Sequence, residues 1–195
     1  MKGIAKLLFL IVIGIVLSFI LSCGENENNE PNLTSPTETL REFMNAHNHY
    51  QEPLAYSYLK QTVNSDFTFY FDPKDISKKT PNGYLIPDHW GRDEFLQVCK
   101  NMFDKAYSIS FAIAGLDEGL GEPQGDEFTA NDVQINIILY IDQSHGYQAI
   151  GQVDWKFNKD SDNKWRISEI HDKTSPEILS INSASYGFML ALFHE

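Results

Sequence analysis

The sequence predicts an α+β domain: a curved antiparallel sheet packed against three helices of the N-terminal half, followed by an apolar, helix-like tail. Three observations predict it. Apolar residues recur at three- and four-residue spacing in the first half. From Tyr107 onward the spacing drops to two. Polar turn sequences, Gln143-Ser144-His145-Gly146 and Asp160-Ser161-Asp162-Asn163, separate the later runs. At 195 residues, 42 % hydrophobic and 22 % charged, the chain has the composition of one globular domain.

The first segment is read as an address and not as structure. Lys2 and Lys6 precede an apolar run from Leu7 to Leu21, broken by Gly14 and Ser18 and ending at Ser22-Cys23. Fifteen residues at a helical rise cover about 22 Å, short of the roughly 30 Å hydrocarbon layer, so an export signal over residues 1–22 is expected in place of a permanent span. Ile20-Leu21-Ser22-Cys23 resembles a bacterial lipobox. That resemblance implies lipidation of Cys23, cleavage before it and anchoring to the membrane by two or three acyl chains, at about 0.8 kcal/mol per buried methylene. Gly24, where inner-membrane lipoproteins carry Asp, points by the same resemblance to the bacterial outer membrane, with a Gram-positive surface as the alternative. Cleavage leaves 173 residues with a net charge of -14, because Lys2 and Lys6 leave with the signal. Such an acidic chain excludes a phosphate backbone as main partner, so no nucleic acid is expected. Residues 23–34 then read as a flexible polar tether.

The domain is expected over residues 35–173. Ser35-Pro36-Thr37-Glu38 carries a cap, a first-turn proline and a capping-box acid. Leu40, Phe43, Met44, His47 and Tyr50 form the stripe of the helix it opens. After Pro53 a second helix from Leu54 to Thr62 turns Leu54, Tyr58, Leu59 and Thr62 inward. Phe67, Phe69 and Phe71 alternate as a strand, and a loop with a turn at Thr80-Pro81-Asn82-Gly83 follows, with a short strand at Tyr84 to Ile86. Arg92 to Lys105 is a third helix, with Phe95, Leu96, Cys99, Met102 and Phe103 as its stripe. Strands follow at Tyr107–Ile113, Asp132–Asp142, Tyr147–Lys159 and Lys164–Asp172. The extension 174–195 ends in a stretch too apolar to remain in water, which packs on its own domain, covers it, or joins a second subunit.

This order of elements resembles the nuclear transport factor 2-like superfamily, the cone-shaped α+β fold also used by ketosteroid isomerases and SnoaL-type polyketide cyclases. The matching features are the paired opening helices, Trp90-Gly91-Arg92-Asp93-Glu94-Phe95 entering the third helix, and the Trp165-x-Ile167-x-x-Ile170 closing strand, over Ser35 to Asp172. The resemblance implies a pocket between sheet and helices. Tyr56, Trp90, Tyr107 and Trp155 are candidates to wall it for a small apolar ligand.

Candidates for chemistry are few. Glu169 and His171 share parity with Trp165 and Ile167 and reach the pocket mouth, unless a bulge makes Ile170 the inward residue. Asp154 falls on the outward face of its strand, as a cross-strand partner to a base or as a weaker catalytic candidate. The isomerase set of an Asp base, a Tyr and a protonated acid has no matching positions. Asn158, Asp160, Asp162 and Glu169 have calcium-loop spacing, but Asn163 stands where glycine is needed and the flanks alternate as strands. No metal and no cofactor are expected, and Cys99 reads as a core thiol. The resulting expectation is a lipid-anchored, cell-envelope binding protein for a small apolar ligand or a protein partner, without catalysis. The alternatives are an isomerase, dehydratase or hydrolase using a His/Asp pair, and a structural module that forms a homodimer.

Overall fold

The computed structural model describes residues 30–174 and 183–195. The signal, Cys23 and most of the tether lie outside the described residues, as do Ser175 to Asn182.

Helix α1 (Pro36–Asn48) starts where its sequence dictates, with the Ser35 hydroxyl accepting the Glu38 N–H at 3.2 Å and Pro36 in the first turn. It buries Leu40, Phe43, Ala46 and His47. Helix α2 (Ala55–Thr62) buries Ala55, Leu59 and Thr62, while Leu54 stands 55 % exposed in the cap position. That corrects the inward placement of Leu54: a residue preceding the helix does not share its facial register.

Strand β1 (Val63–Tyr70) turns Phe67 and Phe69 inward, with Phe71 continuing that face. The short β2 (His89–Gly91) pairs with it and carries Trp90. Helix α3 (Arg92–Lys105) buries Phe95, Leu96, Val98, Cys99, Met102 and Phe103, the expected stripe with one addition. In place of a strand at Tyr84 to Ile86, a single bridge joins Lys79 and Leu85.

Four strands complete the sheet: β3 (Ser108–Ile113), β4 (Glu127–Tyr140), β5 (Gly146–Lys159) and β6 (Trp165–Thr174). Its main path runs β2-β1-β6-β5-β4-β3, antiparallel along that path except for the parallel β1–β6 pair, which no local pattern announces. Strand β4 begins five residues earlier than its alternation suggests, because a register shift between Ala130 and Val133 hides its first half. Asp132 takes φ 55° in that irregularity. The short β7 (Ser183–Ala184) lies parallel to β5 and leads into helix α4 (Tyr186–Ala191).

One sheet face is covered by α1, α3 and α4, and the core lies between. The tether docks earlier than expected: Leu33 is buried, and its carbonyl accepts the Trp165 N–H at 2.8 Å. A single apolar residue in a polar stretch therefore extends the domain back towards Pro31. Among the described residues, no helix is long and apolar enough to cross a membrane.

The outer edge of β3 is blocked by a side chain. Asn48 donates to the Phe111 carbonyl at 2.9 Å and accepts the Phe111 N–H at 2.7 Å, mimicking a neighbouring strand. Asn48→Ala is expected to lower stability by about 2 kcal/mol and to unprotect the Phe111 amide. Urea unfolding with amide exchange checks this; unchanged protection at Phe111 contradicts it.

Candidate functional site: the aromatic interior and its buried carboxylates

The decisive local feature is a bulge at Ser168. Lys156 pairs with Glu169 and Phe157 with Ile167, so one residue of β6 is extra. Ile167 and Ile170 therefore both point inward and are fully buried. Beyond the bulge the parity is reversed, and Asp172, not His171, faces the interior. Asp172 is 4 % exposed.

Asp172 sits under the start of α4. Its Oδ2 accepts the Gly187 N–H at 2.8 Å, and the Ser185 hydroxyl also bonds to it. Ser185 caps α4 by accepting the Phe188 N–H at 2.9 Å and donates to Asp75. Two further buried carboxylates, Asp72 and Asp75, come from the loop after β1. Asp75 pairs with the exposed Lys78 at 2.8 Å, and Asp72 accepts the Lys74 N–H at 2.7 Å. Burial, with Asp72 and Asp75 as like-charged neighbours, outweighs these hydrogen bonds and pushes the Asp172 carboxyl up to about 7.

Above this cluster the interior is a set of packed rings. Tyr186 lies 5.6 Å from Phe69 and 6.0 Å from Phe111, centroid to centroid. Phe43 lies 6.1 Å from Phe111 and 5.4 Å from Trp155, and His47 packs edge-on to Phe111 at 5.2 Å. His47 Nδ1 donates to the Phe43 carbonyl at 2.8 Å, and burial lowers its pKa to about 4, so the ring is neutral. Three buried polar atoms around the Phe43–Phe111 pair have no hydrogen-bond partner among the described residues: His47 Nε2, Trp155 Nε1 and the Tyr186 hydroxyl. Burial also pushes the Tyr186 phenol and the Cys99 thiol up, so both stay protonated.

The described end of the extension, residues 183–195, is thus packed on its own domain. Tyr186, Met189, Leu190, Ala191 and Phe193 are all buried. Beyond them, Asn101 donates to the Phe193 carbonyl, and His194 stacks on Tyr84 at 3.7 Å while pairing with Glu94 at 3.0 Å.

The four aromatic residues expected to wall one pocket do not meet. Only Trp155 faces the Phe43 end of the interior. Trp90 is buried at the sheet edge, where its Nε1 donates to Tyr84 at 2.8 Å and its ring packs on Phe71 at 4.6 Å. Tyr107 is 54 % exposed, because it precedes β3 and escapes its alternation. Tyr56 is half-buried on α2, with the Lys60 ammonium over its ring. Glu169 and His171 do pair, at 2.5 Å, but on the outer sheet face. There His171 stacks on Tyr70 at 4.4 Å, and Glu169 also holds Lys156 at 2.8 Å. Burial opposes the charge on Glu169, yet its bonds to Lys156 and His171 keep its carboxyl below the usual range. A groove of about 320 Å³ between Asp66, Glu127, Lys156 and Glu169 opens beside them. Asp154 pairs with Lys173 at 2.5 Å and accepts the Asp132 N–H at 2.8 Å. In the acidic hairpin turn, Arg166 binds both Asp160 and Asp162. Among the described residues no group of three or more His, Cys, Asp or Glu is arranged to hold a metal ion.

Asp172 escapes a reading of parity alone. The signal that finds it is the Ile167-x-x-Ile170 spacing: two inward apolar residues three apart in a strand demand a bulge, which turns the next alternate residue, Asp172, inward.

The sequence matches no protein-family profile and no curated protein. Solved structures are similar to it. A conserved protein from Planctomyces limnophilus has a TM-score of 0.50 at 12 % identity, covering 68 % of this chain and 88 % of that one. A protein from Kribbella flavida has 0.50 at 12 %, covering 79 % and 92 %. A nuclear transport factor 2-like superfamily protein from Salmonella enterica has 0.49 at 13 %, covering 74 % and 92 %. At these identities the first two likenesses are likenesses of fold, and the fold is the α+β arrangement of curved sheet and helices that the element order predicts.

Proposed function

We propose that this chain is a binding protein of the cell envelope, tethered by lipid on Cys23, whose nuclear transport factor 2-like domain holds a small, largely apolar molecule and performs no catalysis. The observation that carries the reading is the seat of Tyr186. A ring from the C-terminal helix fills the space between Phe69 and Phe111, so the interior accepts an aromatic occupant that the chain itself supplies. Around that seat the walls are apolar, and the unpartnered atoms of His47 and Trp155 offer hydrogen bonds to one polar atom of a ligand. Asp172 and His47 are engaged separately, Asp172 by Gly187 and Ser185 and His47 by the Phe43 carbonyl, so the two form no relay. A single observation favours an isomerase or dehydratase instead: a carboxyl with a pKa of about 7 in an apolar site suits proton transfer.

Binding is tested on the full chain carrying Cys23→Ser, so that no acyl chain competes, with N-phenylnaphthylamine as fluorescent probe. Adding Tyr186→Ala, which vacates the seat, is expected to tighten probe binding at least about tenfold. Absence of probe binding in both forms overturns the reading. For the anchor, Cys23→Ser is expected to release the protein from the membrane fraction; unchanged mass and retention refute lipidation.

A further inference from the structure

The three carboxylates beneath α4 have no part in holding an apolar molecule. Asp72 and Asp75 come from the loop after β1 and Asp172 from β6, and all three are buried at the same end of the helix. A protein that needed α4 only as a permanent wall would be better served by apolar residues, because buried like charges cost energy in the docked state and none once exposed. The docking is also unusually close. A Cβ on Gly187 would stand 2.7 Å from Phe71 Cδ1 and 3.1 Å from Asp172 Oδ2, so nothing larger than a hydrogen fits between Gly187 and the carboxylate while α4 is seated.

We propose that the C-terminal segment 183–195 is a proton-controlled stopper: it is held in the interior while the Asp72–Asp75–Asp172 cluster carries a proton, and is loosened when the cluster is fully ionised. The proposal rests on the binding reading above, since the space released is the site proposed for the ligand. It gives that site a regulation, with access favoured at neutral and alkaline pH and closure under mild acid.

The direction follows from linkage. The docked Asp172 carboxyl titrates at about 7, above its ordinary 3.8 when exposed. The docked form therefore binds the proton more tightly, and docking is strongest below the ordinary value, weakens as pH rises between the two, and is flat above about 7. Among the described residues, these titratable and charged groups face Asp172. From the loop after β1 come Asp72 and Asp75, the latter with Lys78. From α4 comes Tyr186, whose phenol stays protonated, and from α3, behind it, Cys99, whose thiol does the same. The inward β5 neighbours Val153 and Trp155 carry no titrating group. At the far end of the tail His194 pairs with Glu94, which makes it the second candidate sensor to be eliminated.

The test is hydrogen exchange of residues 185–193 in the full chain, with protection corrected for intrinsic exchange, at about pH 5.5 and about pH 8. Wild-type protection is expected to fall about thirtyfold at the higher pH. Asp172→Asn, which keeps an acceptor for the Gly187 N–H but does not ionise, is expected to keep nearly the same protection at both. His194→Gln is expected to retain the wild-type response. Equal wild-type protection at the two pH values overturns the stopper, as does a response that survives Asp172→Asn or vanishes in His194→Gln. Probe binding by the Tyr186→Ala chain does not depend on these outcomes. A failed stopper with intact probe binding leaves the binding reading standing, and absent probe binding removes that reading separately.

Discussion

Gly187→Ala is expected to unseat the C-terminal helix and to cost about 2–3 kcal/mol of stability. The added Cβ would meet Phe71 Cδ1 at 2.7 Å and Phe69 Cε1 at 3.1 Å, two rings that are themselves locked by neighbours. The helix has no room to retreat, because its own Gly187 N–H is bonded to Asp172 and the Ser185 cap to Asp75. Moving away would leave buried carboxylate oxygens without donors. Gly91→Ala is the matched control: nothing lies within 4 Å of its Cβ, and only an N-cap preference of at most about 1 kcal/mol is at stake. Chemical denaturation with exchange protection over residues 185–193 measures both. A Gly187→Ala chain with wild-type stability and a protected α4 would falsify the close seating of α4 on Phe69 and Phe71.

Phe69→Ala has the larger expected cost, about 3–5 kcal/mol. The ring is fully buried and touches Phe71, Trp90, Phe95 and Tyr186, at centroid distances of 5.1, 6.0, 5.6 and 5.6 Å. It thereby joins β1 to β2, to α3 and to α4. Against a total stability of about 5–15 kcal/mol for a domain, that loss leaves a marginal fold. Near-ultraviolet dichroism should lose the Trp90 and Tyr186 signals, and the thermal midpoint should drop well below that of Phe128→Ala, which truncates a ring that is only partly buried. Equal midpoints for the two variants would show that Phe69 does not join these elements.

The helices and most strands were legible because each presents one face to the core, and that face repeats at 3.6 or 2 residues. Ser35, Pro36 and the stripes of α1 and α3 needed nothing beyond neighbours a few residues away. What failed locally failed at ends and irregularities. Leu54 and Tyr107 are apolar residues just outside an element, where periodicity does not apply. The first half of β4 was hidden by the shift at Ala130 to Val133. The site was half legible: the Ile167-x-x-Ile170 spacing foretold a bulge, but its consequence for Asp172 depends on which residues lie across the strand. Asp72 and Asp75, in a loop, carry no periodic signal at all.

By itself the sequence determined the α+β class, the element order and the apolar faces, since these follow from short-range stereochemistry and from the need to bury hydrocarbon. Only the tertiary structure decided what fills the interior. The parallel β1–β6 pairing, the capture of Tyr186 between Phe69 and Phe111, and the meeting of three carboxylates under α4 join residues up to a hundred positions and more apart. Such contacts are selected by the packing of the whole core, which no window of neighbouring residues contains.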